Sequence, residues 1–572
     1  MRKFRGIFTS LLFVLGLMVL MPGIAFAAEK EGMESTLGMF TLIPPIVAIL
    51  LAFITKNVVI SLFVGVLSGC FLYSIVDSNI LSAIINSFLD ISQRALNALA
   101  DPWNAGIVLQ VLVIGGVIAL VGRMGGAKAV AISLSKRAKS PRSSQLITWL
   151  LGIFVFFDDY ANSLIVGPVM RPVSDKMKIS REKFAFVLDA TAAPIAGIAI
   201  VSTWVGYELS VIKDSFMAID PTGNFNAMNI FIETIPYRFY NILMLLFVAL
   251  TAILMREFGP MYKAEVRARR EGKLLRDGAT PLVSEDSNEF VPEDDSKNSI
   301  WNAIIPIGTL IVGAFVGFYY SGYNIVMGSE DAGAIEVLKS SPFSLEGIYT
   351  AFGNGDASVV LFQAALLASI VAIIMGISKK IFTFTEAIET WVCGMKSLIM
   401  TGVILILAWS LAGVIKDIGT ANYLVQILSG HIPAFILPSL IFILGAIMSF
   451  STGTAYGTMG IIMPLAVPLG FSINPSMDFV ILCTSAVLTG AIFGDHCSPI
   501  SDTTIMSSMG GACDHIDHTK TQLVYALTVA AITVLFGYIP AGLGVSPLIC
   551  LPLSMAAIYL TVRFIGKKVD IA

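Results

Sequence analysis

Apolar runs long enough to cross a membrane alternate with short polar connectors along nearly the whole chain. They fall at 39–54, 58–76, 105–122, 144–157, 160–173, 184–206 and 236–255, and after a polar interval at 301–320, 357–378, 397–415, 434–450, 456–471, 478–493, 521–542 and 545–565. A helix needs about 20 apolar residues to cross a hydrocarbon core about 30 Å thick, and within lipid only helices or closed barrels satisfy their own backbone. The pattern predicts an all-α polytopic membrane protein. The polar interval carries Arg256, Lys263, Arg267, Arg269, Arg270, Lys273 and Arg276, then an acidic run. It predicts a solvated cytoplasmic linker over 259–300, because basic loops stay on the cytoplasmic side. That linker parts a first transmembrane repeat, 39–258, from a second, 301–566.

The first 38 residues form a separate segment. Met1-Arg2-Lys3-Phe4-Arg5 is basic, Ile7 to Ile24 is apolar, and Ala25-Phe26-Ala27 resembles a cleavage site. Residues 1–38 therefore read as signal-peptide-like or as a first transmembrane segment, with the basic end cytoplasmic.

The two halves share a pattern. At one common offset Gly152, Gly167 and Met170 fall on Gly445, Gly460 and Met463. Gly125 falls on Gly419 one residue later, and Pro194 falls on Pro499 after a short insertion. Loop charges orient the spans. Span 105–122 runs inward to Arg123, Lys128, Lys136 and Arg137, whereas 397–415 runs outward. The repeats are thus expected to be inverted, an architecture of secondary transporters that bind cargo near the midplane at discontinuous helices.

Composition agrees. The 572 residues are 56% hydrophobic and 13% charged, against about 25% charged in a soluble protein. A net charge of -3 gives no reason to expect a nucleic-acid partner. The six cysteines are scattered, mostly in apolar runs, and outline no disulfide framework.

Two polar stretches interrupt the apolar pattern. The first is Phe156-Phe157-Asp158-Asp159-Tyr160-Ala161-Asn162-Ser163, whose repeat mate is Ser451-Thr452-Gly453-Thr454-Ala455. Neighbouring residues on a helix point about 100° apart, so Asp158 and Asp159 share a face only if the helix breaks. The second runs from Gly494-Asp495-His496-Cys497-Ser498-Pro499-Ile500-Ser501-Asp502-Thr503-Thr504 to Cys513-Asp514-His515-Ile516-Asp517-His518. Ionisable groups at membrane depth mark an ion or substrate path. Carboxylate, amide and hydroxyl oxygens suit a hard cation such as Na+. A buried carboxylate that holds either Na+ or a proton couples the two fluxes. The ion- and proton-binding candidates are Asp158, Asp159, Asn162, Ser451, Thr452, Thr454, Asp495, Ser498, Asp502 and Thr503.

Other residues read more plainly. Asp189 and Glu208 bracket Ala193-Pro194-Ile195-Ala196-Gly197, an expected hairpin break, and are secondary candidates. His515 and His518 share a helical face, but Asp517 reads as an N-cap and His518 as an interfacial residue. No resident metal beyond transported Na+ and no cofactor is expected.

The Gly494–Thr504 and Cys513–His518 motifs, together with Phe157-Asp158-Asp159-Tyr160-Ala161-Asn162 and Ile179-Ser180-Arg181-Glu182-Lys183, resemble the NhaC-type Na+/H+ antiporter family of the ion-transporter superfamily. The resemblance covers most of 39–566. It implies a multi-pass antiporter of the bacterial inner (plasma) membrane that exchanges Na+ for H+. It also implies inverted repeats with two re-entrant hairpins, elevator-like motion and a homodimer. The same resemblance extends to carriers of small organic acids or amino acids, which stand as the alternative. An intramembrane enzyme using His496 and Cys497, or His515 and His518, is the reading from another class; the duplication argues against it, and no enzyme activity is expected.

Overall fold

The computed structural model describes residues 36–569 apart from 56, 157, 158, 160, 161, 201, 224, 282–296, 330, 331 and 429–431. The signal-like segment up to residue 35, Asp158, His431 and the acidic run of the linker lie outside the described residues, and of Asp502 only the backbone is described.

Among the described residues nine helices are long and apolar enough to cross a membrane: Pro102–Arg123 (α1), Trp301–Met327, Ser358–Ser378, Phe384–Asp417, Ala434–Thr452, Ala455–Ile473, Met477–Cys497, His515–Gly542 and Pro547–Ile565. Ala227–Tyr237 and Phe239–Leu254 make a further crossing bent by 48°. The two apolar runs nearest the N-terminus form shorter helices, Gly38–Leu51 and Val59–Ile75. The protein is an all-α polytopic membrane protein, as the hydrophobic pattern predicts.

Three apolar runs of the first half do not become straight spans. The run at 144–157 is the helix Pro141–Phe154 (α2), which stops where Val155 leaves helical geometry (ψ 36°). The run at 160–173 opens as a π-helical turn, Asn162–Val166, and continues as Gly167–Lys176 (α3). The run at 184–206, expected as one span, is two helices, Arg181–Ala190 (α4) and Val205–Met217 (α5). Between them, among the described residues, only Ala193–Ala196 is helical, with Pro194 in its first turn. Ser202 starts α5 by accepting the Trp204 and Val205 N–H groups. The chain returns through Phe239–Leu254 (α6).

The linker is folded too. Its first part is the helix Gly259–Glu271 (α7), which buries Met261, Ala264, Glu265 and Ala268. Glu265 accepts the Ser180 N–H at 2.7 Å. Arg267 donates to both carboxylate oxygens of Glu182 at 2.9 Å. Thr280 donates its N–H and hydroxyl to Asp514 at 2.9 and 3.1 Å, and Arg276 pairs with Asp517 at 2.9 Å. Residues 256–281 are therefore a docked strap rather than the solvated connector expected, because its charges meet acids and backbone groups of both halves. Its start, the strand Arg256–Glu257 (β1), pairs antiparallel with Lys567–Lys568 (β2) near the C-terminus. Inside it Lys183 and Glu257 form a buried ion pair at 2.9 Å, completed by Thr251 and Tyr525.

The second half has matching interruptions. The helix Leu437–Thr452 (α8) ends at Gly453, whose φ of 71° lies in the left-handed region. A Cβ there would stand 2.6 Å from the Ile500 carbonyl oxygen, so both conformation and space require glycine. Thr454 is extended, and Ala455–Ile473 (α9) follows. Met477–Cys497 (α10) is the axis of the core: every residue from Phe479 to Cys497 is buried. The chain then breaks over 498–501 and re-enters as the ten-residue helix Asp502–Gly511 (α11). Asp514 caps the last helix of the site, His515–Ile532 (α12), by accepting the Ile516 and Asp517 N–H groups. The cap is Asp514 and not Asp517, since Asp517 already lies one turn inside and pairs with the strap.

Candidate functional site

The broken helices converge on Asp189, at the end of α4. Asp189 is wholly buried. Its Oδ2 accepts a 2.7 Å hydrogen bond from the Gln522 amide of α12, and the same amide nitrogen donates to the His496 carbonyl of α10. The Thr504 and Ser507 side chains of α11 face the carboxylate. Among the described residues its Oδ1 has no hydrogen-bond partner. The nearest group able to carry positive charge is His518, whose Nε2 lies 3.9 Å from Oδ2. Burying a carboxylate without a paired cation is costly.

Asn162, in the π turn, completes this neighbourhood. Its amide donates to the Leu188 and Thr191 carbonyls and to the Thr191 hydroxyl at 2.9 to 3.1 Å, flanking Asp189 in sequence. Its Oδ1 is left buried and without a partner among the described residues. A π turn places one residue out of register with the helix and is frequent at functional sites. Next to it Ser163 and Ser507 share a 2.8 Å hydrogen bond that ties the first half to α11. Asp159, one turn earlier, is also buried.

The second motif closes on α10 and α8. Asp495 accepts a 2.7 Å hydrogen bond from Ser501, which is 2.9 Å from the Thr503 hydroxyl. Ser498 donates to the Phe450 carbonyl at 2.6 Å. Asp502 begins α11. Ser451 and Thr452 spend their hydroxyls on carbonyls of their own helix, while Thr454 forms the extended residue after the break. The structure thus brings Asp495, Ser498 and Thr503 together around one break and places Asn162 at the other, beside Asp189.

The histidines are inside. His518 is wholly buried, not interfacial as expected. Its Nδ1 is 2.8 Å from the Ser508 hydroxyl and its Nε2 is 2.8 Å from Gln522 Oε1. His515 is half-buried, with Nδ1 at 3.0 Å from the same Ser508 hydroxyl and Nε2 at 2.7 Å from the Pro499 carbonyl. His496 meets the Tyr240 hydroxyl at 2.8 Å. Among the described residues no group of three or more His, Cys, Asp or Glu side chains could hold a metal ion. Glu208 stands apart in a buried ion pair with Arg238 at 2.8 Å, and Arg238 also donates to the Gly197 carbonyl of the first break.

Gln522, Ser507, Ser508 and Tyr240 were not among the sequence candidates. Gln522 had one readable signal, its i+4 spacing from His518 on the same helical face.

Comparison with known proteins places this arrangement. A family model described as the Na+/H+ antiporter family matches residues 195–543. An uncharacterized protein of Haemophilus influenzae is 32% identical over 518 residues, 91% of this chain and 93% of that protein. The malate-2H(+)/Na(+)-lactate antiporter of Bacillus subtilis is 28% identical over 187 residues, 32% of this chain and 38% of its own length. The crystal structure of the Alcanivorax borkumensis YdaH transporter is similar in fold, with a TM-score of 0.51 at 14% identity over 79% of this chain and 89% of that one. With its polytopic fold and a family match over 195–543, which includes the 498–501 break, the chain is a membrane transporter and belongs to the Na+/H+ antiporter family.

Proposed function

We propose that this protein exchanges Na+ for H+ across the bacterial plasma membrane by alternating access, with Asp189 as the group that holds one ion or the other. The observation that carries this reading is the wholly buried Asp189 carboxylate, whose Oδ1 has no hydrogen-bond partner among the described residues, in a neighbourhood tied to Asn162 through Leu188 and Thr191. A carboxylate, an amide oxygen and hydroxyls form a donor set for a hard cation. A proton neutralises the same carboxylate, so the two ions exclude one another. Asp159 and Asp495, with Ser498, Thr503 and the Ser451–Thr454 break, form the second shell of candidates. Interruptions near Phe154 and Thr452, and again at 191–204 and 498–501, support the reading of two inverted repeats.

The test is proton flux into proteoliposomes that carry a pH gradient, read with an internal dye as Na+ is added. Wild type is expected to dissipate the gradient and D189N to fail, with D495N and D159N impaired. Flux by D189N equal to wild type would remove Asp189 from the exchange.

One observation favours a second reading, exchange of a small organic acid. A cavity of about 700 Å³ lies between the helices Ile80–Ala100, Ile399–Asp417, α5 and α9, lined by Arg94, Lys213, Lys416 and Trp409. It lies at the Asp101 end of α1. Lys213 and Lys416, with the Asn97, Asn104 and Asn422 amides, offer donors to a carboxylate, although Asp101 and Asp214 share the lining and Arg94 is already paired with Asp90 and Asp417; the Bacillus subtilis relative is named for malate and lactate. Malate- or lactate-driven flux in the absence of any Na+-driven flux would favour it.

A further inference from the structure

Four side chains between the strap face and Asp189 can be counted proton by proton. Hydrogen positions follow from what each partner is able to do. The Pro499 carbonyl can only accept, so His515 carries a proton on Nε2. The Gln522 nitrogen is committed to Asp189 and to the His496 carbonyl, so Gln522 presents its oxygen to His518, which therefore also carries a proton on Nε2. If both rings are neutral, each has a bare Nδ1 lone pair. Both lone pairs point at one hydroxyl, Ser508 Oγ, at 3.0 and 2.8 Å. That hydroxyl owns a single proton, and the Thr504 carbonyl at 2.8 Å competes for it.

The network is therefore one proton short. A proton added to either ring fills the gap: its new Nδ1–H donates to Ser508 Oγ, whose own proton turns to the other ring. The groups that face this pair are Asp189 from α4, His496 from α10, Asp514 and Asp517 at the start of α12, and Arg276 of the strap, which pairs with Asp517. Arg181 is turned away from it and donates to the Gly511 and Ala512 carbonyls.

We propose that His515, Ser508 and His518 form a relay that holds one proton and carries it between the strap face and Asp189. His515, half-buried at the start of α12, takes the proton on Nδ1. That N–H bond breaks as Ser508 Oγ accepts the proton, and the former hydroxyl proton bonds to Nδ1 of His518. His518, now an imidazolium, gives its Nε2 proton to Asp189 Oδ2, after the present 3.9 Å gap closes by about 1 Å to hydrogen-bond distance. One proton enters and one is delivered. The starting tautomer returns when His518 takes a proton back on Nε2 and releases its Nδ1 proton to Ser508, so the relay runs in either direction. The use made of the delivered proton rests on the exchange reading above; the shared proton itself does not.

The chain has four histidines, so 15N NMR of the ring nitrogens resolves the pair. In wild type one ring of the pair is expected to protonate as pH falls, and the second to resist by at least about one further pH unit. S508A should make the two titrations independent, and S508T, which keeps the hydroxyl, should preserve their coupling. In proteoliposomes S508A should slow Na+-driven proton flux about tenfold or more with the half-saturating Na+ unchanged. H515A should be rescued by added imidazole, which a packing defect would not be. Coupling and flux in S508A that match wild type would overturn the relay. If wild type shows no Na+-driven flux, the exchange reading fails, and the NMR coupling still decides the relay.

Discussion

The Asp189 carboxylate and the Gln522 amide meet at 2.7 Å although 333 residues of chain separate them. This bond fixes one carboxylate oxygen, and in the proposed exchange the other takes the ion. A hydrogen bond to a charged group contributes about 1.5–3 kcal/mol, and about 1.4 kcal/mol is tenfold in affinity. Q522L should therefore raise the Na+ concentration for half-maximal flux by about tenfold or more. Flux measured against a Na+ series checks this.

The Glu208–Arg238 pair is fully excluded from solvent. Removing one partner of a buried pair strands the other charge and costs about 3–5 kcal/mol, whereas apolar replacement of both is often tolerated. E208L and R238M should each lower the melting temperature in detergent sharply. The double variant should recover much of the loss.

Gly453 supplies both a left-handed φ and room for the Ile500 carbonyl. G453A combines a conformational cost of about 1–2 kcal/mol with a contact of 2.6 Å that must relax. Thermal unfolding in detergent should show a loss of at least about 2 kcal/mol. G445A, where a Cβ meets its nearest atom at 3.4 Å, should lose far less.

The strap's hold on α12 should depend on acid. Burial raises the Asp514 carboxyl, but hydrogen bonds from the Thr280 N–H and hydroxyl and from the Asp517 and Ile516 N–H groups outweigh it and hold the group below its ordinary value. A depressed carboxyl contributes stability that is full above the unfolded value, about 3.9, and is lost as pH falls through the folded one. Docking is therefore complete at neutral pH and weakens only in strong acid. D514N should loosen it at neutral pH, read as several-fold faster trypsin cleavage after Arg276.

Much of this was legible in the sequence, for physical reasons. Membrane crossing demands long apolar runs, so the spans stood out, as did acids and prolines that cannot rest in lipid unaided. Asp495, Ser498, Thr503 and Asn162 were singled out that way, and the structure places them at the two breaks. Asp189 was read only as a secondary candidate bracketing a break, because the groups that meet its carboxylate, Gln522 and His518, lie more than 300 residues away. The cap of α12 was misplaced because Asp514 and Asp517 offer the same chemistry, and only backbone geometry selects Asp514. The strap was missed because Arg267 and Arg276 look solvated until Glu182 and Asp517 are set opposite them.

The strap also bears on how the chain could be divided. It is continuous with the first half yet grips the second through Asp514 and Asp517. A break in the polypeptide at 282–296 would leave that grip with the N-terminal fragment. Two separately translated fragments, 1–288 and 289–572, should then find each other and reassemble.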